Sequence, residues 1–460
     1  KITCTGNSFV IDRYTNDGSI DLSFGLKGRL FLTNKPGYAI GLAEFKNSNY
    51  IVTGWFVNSG SNYDILTIKT KSDGSIDSSF GKNGIVTMDI DNYDYSEAMT
   101  IQTDEKIIVV GELGKNEYDD LRIFIARFKP DGNIDSSFGE NGHVVTKFDK
   151  EVACESVALQ DDGKILVGGT YNLFAMQPAY YVARYNPDGS KDNSFGDQGI
   201  AQYIFGEGHG EEEWVNELTT IVVQQDGKII CGGSQGQFHG WKYDMGLVRF
   251  NTDGTLDKSY GEQGSVRIEY PGYYSEIYTM QIQTDGKLVA GANAQTLSSN
   301  DDRMLLMRFL ENGHFDSGFA INGMQATMNG QFSSYCNTSC LQDDNKIILG
   351  GNSNGKFLLA RFNNDNVLAS NFKEVKAIQE NEAITITWQT LNENNTKSYT
   401  VERSNNAKDY VGISNIPAKH AANNSYSYTD KNPLYGDNYY RIKENAANGT
   451  FTYSQTLKVV

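Results

Sequence analysis

Histidine, acidic and cysteine side chains are where chemistry is first sought, and this sequence groups few of them. One histidine–acid cluster, His209-Gly-Glu-Glu-Glu213, stands near His239 and Trp241. Imidazole and carboxylate are ordinary metal ligands and proton carriers. The stretch lies in the longest spacing of the chain, however, and reads as a solvated loop insertion. His209, Glu211 and His239 are therefore weak metal candidates, and no metal or cofactor is expected. Asp-Gly-x-x-Asp pairs, such as Asp17 with Asp21 and Asp188 with Asp192, recur five times, and a sixth copy opens on Asn312 instead. Two carboxylates so close could share a calcium ion. Six copies in the same local setting point instead to carboxylates that satisfy turn backbone donors. The five cysteines, Cys4, Cys154, Cys231, Cys336 and Cys340, show no CxxC spacing and are too scattered for a disulfide framework. HExxH, Walker and GxGxxG signatures are missing and no GxSxG elbow leads from a strand into a helix, so no catalytic residue is assigned and the chain reads as a non-enzyme.

The remaining candidates are aromatic. Tyr93, Tyr95, Tyr171, Phe174, Trp241, Tyr270, Tyr273 and Tyr274 sit in segments that differ from copy to copy of an otherwise regular sequence. Tyr and Trp with neighbouring Asn and Asp suit stacking and hydrogen bonding to sugar rings or peptide.

The elements that position these residues follow from one period. A Ser-Phe-Gly marker places its aromatic at Phe24, Phe80, Phe138, Phe195, Tyr260 and Phe319, and a worn copy ends at Phe372. Seven residues before each full marker aromatic stands Asp or Asn followed by Gly, and three before it stands Asp. Asp-Gly and Asn-Gly supply the positive φ of tight turns. Each repeat of about 58 residues then holds four short β-branched stretches, as in Ile85–Ile90, Ala98–Gln102, Lys106–Gly111 and Ile123–Phe128. A fixed turn such as Asp161-Asp-Gly-Lys164 separates the second from the third. Four antiparallel strands per unit make a propeller blade. The expected fold is all-β, a β-propeller over residues 1–372. Seven four-stranded blades are expected, the first incomplete because Lys1 falls inside a repeat, and the alternative is six blades closed with an extra hairpin. Turns between the second and third strands and repeat-to-repeat connectors then share one face. The variable aromatic loops share the other, where ligands would bind.

Beyond Phe372 the period stops. Ala383–Trp388, Ser398–Arg403, Ser425–Thr429, Asn438–Ile442 and Phe451–Ser454 alternate at sandwich spacing, so residues 373–460 are expected to form a small β-sandwich around Trp388. With 57 acidic and 40 basic residues the net charge is −17, and the dispersed cations do not form the basic stripe that nucleic acid requires. No apolar run approaches the length of a membrane-spanning helix.

Asn186-Pro-Asp-Gly-Ser190, Asp192-Asn-Ser-Phe-Gly196 and Gln224-Gln-Asp-Gly-Lys-Ile-Ile230, with Ala183-Arg-Tyr185, resemble the delta-60 repeat family of secreted bacterial propellers. The end of the chain, with Tyr439-Tyr440-Arg-Ile and Gly449-Thr-Phe-Thr-Tyr-Ser454, is similar to the fibronectin-III-like module of Bacteroidetes surface proteins exported by the type IX route. The resemblance implies an extracellular or cell-surface protein that meets the type IX secretion machinery. The expected function is a non-catalytic binding or scaffold protein, in adhesion or gliding, with a glycan or surface-protein ligand. The alternative is a propeller hydrolase or lyase acting on polysaccharide, with acidic residues around the central channel.

Overall fold

The computed structural model describes residues 2–459 apart from 7–8, 34, 60–61, 116–119, 174, 207–213, 238–241, 297–301, 321–322, 328–332, 365–371, 381–382, 392, 394–395, 408, 422, 447–450 and 455. The chain divides into two compact units, Lys1–His314 with Ala326–Arg361, and Phe315–Gln325 with Phe362–Val460. Among the described residues there is no α-helix, and no helix long and apolar enough to cross a membrane.

Short β-branched segments separated by Asp-Gly turns fold back on themselves as antiparallel sheets. The opening sheet has β1 (Ile2–Gly6), β2 (Val10–Tyr14) and β3 (Arg29–Phe31). Next come β4 (Gly37–Phe45), β5 (Asn49–Ser59), β6 (Asn62–Thr70) and β7 (Ile85–Met88), then β8 (Tyr93–Ile101), β9 (Ile107–Gly114), β10 (Arg122–Phe128) and β11 (His143–Thr146). A single parallel bridge, Tyr63 to Tyr93, joins those two groups edge to edge. The next sheet holds β12 (Val152–Leu159), β13 (Ile165–Tyr171), β14 (Ala179–Tyr185) and β15 (Ile200–Tyr203). It is followed by β16 (Trp214–Val223), β17 (Ile229–Gln237), β18 (Lys242–Phe250) and β19 (Ser265–Ile268). The last full sheet is β20 (Tyr274–Ile282), β21 (Leu288–Gln295), β22 (Arg303–Phe309) and β23 (Met324–Thr327). The closing sheet holds β24 (Ser334–Leu341), β25 (Ile347–Ser353) and β26 (Lys356–Phe362).

The sheets are phased differently from the sequence repeat. The stretch at Ile85 is not the first strand of its group but the outer strand of the sheet before it, paired to β6. The marker turn explains why. In the β10–β11 hairpin, Asp135 N–H donates to Arg127 O at 2.9 Å and Arg127 N–H to Gly142 O at 3.0 Å, zipping the chain back onto the strand it has just left. Each sequence repeat therefore straddles two sheets.

The marker residues clasp neighbouring sheets. Arg127 Nε donates to Asp135 Oδ2 at 2.8 Å, its Nη1 donates to Pro187 O of the next sheet at 2.6 Å, and its guanidinium lies 4.5 Å from the Phe138 ring centre. Arg13, Arg184 and Arg249 repeat this with Asp21, Asp192 and Asp257, and with the carbonyls of Ser72, Thr252 and Glu311. Arg361 of the closing sheet donates in the same way to Asn16 O of the opening one. The marker glycine completes the clasp, as Gly81 N–H donates to Asp131 O at 2.7 Å. At Gly132, φ is +84° and a Cβ would lie 2.7 Å from Gly81 N, so the turn needs glycine for both conformation and space. The turn aspartates are consumed locally: Ser75 N–H donates to Asp73 Oδ1 at 2.8 Å and Ser190 N–H to Asp188 Oδ1 at 2.9 Å. Between sheets lie apolar cores such as Ile108, Val110, Ile125, Phe138, Val152, Ile165 and Tyr181, each such side chain contributing about 1.5–3 kcal/mol.

In the second unit, β27 (Phe372–Glu380), β28 (Ala383–Leu391) and β31 (Asn423–Asp430) form one sheet. The other holds β29 (Thr396–Ser404), β30 (Val411–Pro417), β32 (Asn438–Ala446), β33 (Phe451–Tyr453) and β34 (Leu457–Val459). Both contribute to one core containing Ile386, Trp388, Tyr399, Tyr426, Tyr440 and Ile442. Trp388 is buried there and stacks on Tyr426 at 5.2 Å.

Candidate functional site

The first strands β4, β8, β12, β16, β20 and β24 approach one another in succession and so form the inner lining of the first unit. Each carries a β-bulge at the same place, at Ile40, Glu97, Glu155, Thr219, Tyr278 and Asn337. A bulge leaves one residue unpaired and re-aims its neighbours. Two residues before it stand Tyr38, Tyr95, Ala153, Glu217, Glu276 and Tyr335. On β9, Glu112 lies directly across from Tyr95. Five glutamates from four adjacent sheets thus share one channel.

Their proton affinities reflect that crowding. Burial, and then the Glu112 charge, push Glu97 up to about 8. Burial pushes Glu112 up to about 7, against the Cys154 N–H that donates to its Oε1 at 2.6 Å. Glu276 also rises to about 7, through burial and the Glu217 charge, while bonds from Tyr278 and Ser234 oppose the rise. Glu155 is held well above the carboxylate range by burial and then by the charges of Glu97, Glu112, Glu276 and Glu217. Glu217 is raised by burial alone. Water reaches Glu155 and Glu217, which are exposed, while Glu97, Glu112 and Glu276 are half-buried. Desolvation by the surrounding sheets leaves each of the five binding its proton more tightly than a free carboxylate does. Such a set can hold and release protons near neutral pH. A narrow cleft lined by Tyr243, Tyr274, Glu276, Tyr278, Asn293 and Gln295 opens beside it.

At one end of the sheets, where β8 and β10 begin and β9 and β11 end, the aromatic residues gather in separate places. Tyr93 stacks on Tyr95 at 4.2 Å, and Tyr95 lies 4.5 Å from Trp55. Tyr38 at 4.9 Å from Trp55, and Tyr63 at 5.3 Å, complete that group. Tyr171 stands apart, its hydroxyl donating to Asp149 Oδ1 at 2.5 Å. Tyr270 and Tyr273 lie 5.0 Å apart, and Arg303 donates to the Tyr270 hydroxyl at 3.3 Å while its guanidinium lies 5.1 Å from the Tyr273 ring centre. Tyr274 stacks on Tyr243 at 5.4 Å. The described aromatic candidates therefore divide among four places: Tyr93 with Tyr95, Tyr171, Tyr270 with Tyr273, and Tyr274. Phe174, Trp241, His209, Glu211 and His239 fall outside the described residues.

None of the five channel glutamates was singled out from sequence. A signal existed: Ser96-Glu97, Cys154-Glu155, Asn216-Glu217 and Ser275-Glu276 each precede the fixed turn aspartate by a near-constant distance.

Six segments, 49–80, 102–138, 160–195, 224–260, 283–319 and 342–368, match the family described as a domain of unknown function (DUF5122) beta-propeller. The chain is a β-propeller repeat protein. The propeller's matched segments run from about the second strand of a sheet to the marker, so Glu97, Glu155, Glu217 and Glu276 lie outside them. Among curated proteins, none matches the chain. Solved structures similar to the propeller include a polysaccharide lyase, at 10% identity and a TM-score of 0.37 over 76% of this chain and 86% of that one. An endo-1,4-beta-xylanase of Bacteroides thetaiotaomicron is similar at 10% and 0.32, over 64% and 94%. An endo-arabinase of the same organism is similar at 15% and 0.32, over 60% and 94%. The expectation of a non-catalytic binding or scaffold protein in adhesion or gliding, and of a non-enzyme, is corrected here. The similar structures carry the names of enzymes that act on polysaccharide. At these identities the likeness concerns architecture, and what the chain does is argued below from its own channel.

Proposed function

We propose that this propeller hydrolyses neutral polysaccharide through its channel glutamates. The observation that carries the reading is the convergence of Glu97, Glu112, Glu155, Glu217 and Glu276, with proton affinities raised to or toward neutrality. Glycoside hydrolysis needs one carboxyl that keeps its proton to give to the leaving oxygen and another that is ionised to activate water or attack the sugar. Glu155 faces the charges of all four others, so its ionisation is the most opposed and it serves as the acid. Glu217, raised by burial alone, ionises earlier and serves as the base or nucleophile. Elimination on uronate polymers is disfavoured, since an acidic channel in a chain of net charge −17 repels a polyanion.

The same reading includes a closed propeller of seven blades, supported by the Arg361 to Asn16 clasp. It also includes a fibronectin-III-like β-sandwich, supported by the shared core around Trp388. The protein acts outside the cell as type IX cargo, as its sequence resemblance implies, where such polymers are met.

The test is release of reducing ends from mixed-linkage β-glucan, arabinoxylan, arabinan and galactan, with ultraviolet absorbance of polygalacturonate products as the elimination control. Expected is cleavage of at least one neutral polymer, reduced about 100-fold or more in Glu155→Gln and in Glu217→Gln. No new reducing ends from any of the four, or full activity in both variants, refutes the proposal.

A further inference from the structure

The rings beside the channel form a ladder that the sheets do not need for cohesion. Trp55 lies between Tyr38, at 4.9 Å and 41°, and Tyr95, at 4.5 Å and 38°. Tyr93 continues the column at 4.2 Å and 22°. Tyr63 meets Trp55 edge-on at 82° and lies 4.9 Å from Tyr95. At the place of Tyr38 and Tyr95 one further sheet carries Tyr335, but three others carry Ala153, Glu217 and Glu276, and at the place of Trp55 those three carry Thr170, Ser234 and Asn293. Those sheets pack as closely without a ring. The apolar cores between these sheets also lie elsewhere, in residues such as Phe9, Val52, Phe56 and Ile68 or Ile107, Val109 and Phe124. None of the five ladder residues is fully buried, and Tyr38 is 44% exposed.

The ladder also runs into the channel. Tyr95 stands directly across from Glu112 and two residues before Glu97 on the same strand, roughly 7 Å along it. The backbone fixes this join, because Tyr63 pairs with Tyr93 and its N–H donates to Asn92 O at 3.3 Å. Aromatic faces rimmed by tyrosine hydroxyls suit the C–H face and hydroxyl edge of a pyranose ring. We infer that Tyr38, Trp55, Tyr63, Tyr93 and Tyr95 form a sugar-stacking subsite that leads a neutral glycan chain to the channel glutamates. This rests on the glycan-hydrolysing reading above and adds where the chain enters. Tyr38 and Tyr93, at the two ends of the column, carry the stacking, and the inner rings hold them in register.

Affinity gel electrophoresis of the full chain tests it, in gels containing mixed-linkage β-glucan, arabinoxylan, arabinan, galactan or polygalacturonate. At least one neutral polymer is expected to retard the protein, with affinity weakened about fivefold or more in Tyr38→Ala/Tyr93→Ala while the melting temperature holds. Should the double variant fail to fold, Tyr38→Ala alone, at an exposed ring, gives the same reading. Glu155→Gln and Glu217→Gln should keep full retardation while losing cleavage, so a failure of catalysis is separable from a failure of this subsite. The proposal is overturned if no neutral polymer retards the wild-type protein, if the tyrosine variants are retarded equally, or if only polygalacturonate binds.

Discussion

Replacing Glu112 with glutamine should leave the protein as stable as before in acid and make it more stable in base. Glu112 Oε1 accepts the Cys154 N–H of the next sheet at 2.6 Å. Three sheets on, Asn293 holds the matching place: its Oδ1 accepts the Cys336 N–H at 2.5 Å and its Nδ2 donates to Cys336 O at 3.0 Å. A neutral acid resembles that amide, since it can accept at one oxygen and donate from the other, whereas a carboxylate can only accept. Burial accordingly pushes Glu112 up to about 7 from an ordinary value of 4.5. Because the folded state holds the proton more tightly than the unfolded chain, this group's stabilisation is complete below pH 4.5 and is lost as pH rises through 7. The gap is worth about 3 kcal/mol at most, and about 2 kcal/mol after allowing for the water that reaches a half-buried group. Glu112→Gln removes the loss. Thermal melting followed by circular dichroism at pH 5, 7 and 9 should show coincident curves at pH 5 and a gain of a few degrees for the variant at pH 9. Equal melting at pH 9, or a large deficit at pH 5, refutes the picture of Glu112 as a neutral link between sheets.

Two other substitutions test the scaffold. Lys69 occupies the clasp position on β6, but its Nζ sits 3.4 Å from Asp77 and no bond of the arginine kind to the next sheet is seen for it among the described residues. Lys69→Arg should therefore raise stability by about 1 kcal/mol, read as a higher denaturant midpoint, and a fall would show that the arginine clasp is not what joins these sheets. In the second unit burial works to raise Glu393, yet donation by Thr390, Tyr426, the His420 N–H and Tyr399 holds it below the usual carboxylate range. A lowered value gives stability that is present above pH 4.5 and lost as pH falls through the folded value. Glu393→Gln should cost that unit about 2–4 kcal/mol at pH 7, with the gap narrowing in acid, and a gap that widens there contradicts the assignment.

The propeller was legible in the sequence because one physical task recurs. Every sheet must grip the next, and the grip uses Arg or Lys, Asp, an aromatic ring and glycine at fixed distances, as in Arg127, Asp135, Phe138 and Gly139. Identical tasks leave identical residues, so Asp131-Gly132 and its copies reveal the period. The phase was not legible, because Ile85–Met88 hydrogen-bonds to a strand earlier in the chain and nothing in its alternation says which neighbour it joins.

The channel escaped for the opposite reason. Its lining strands carry no shared task beyond reaching the axis, so Ile40, Glu97, Glu155, Thr219, Tyr278 and Asn337 occupy one structural position with almost nothing in common. Glu217 and Glu276 stand two residues before that bulge and Glu112 on the adjoining strand, so no single sequence offset collects the five. The bulges do so by re-aiming side chains where the first strands draw together. The same division explains why the matched family segments exclude four of these glutamates. A clasp defined by recurrence frees the inner strands to differ, and a set of acids that is unequal around the ring is what acid–base chemistry needs. Six equal glutamates would repel one another alike, with nothing to decide which keeps its proton. Glu155, opposed by four neighbouring charges, and Glu217, raised by burial alone, are already distinguished.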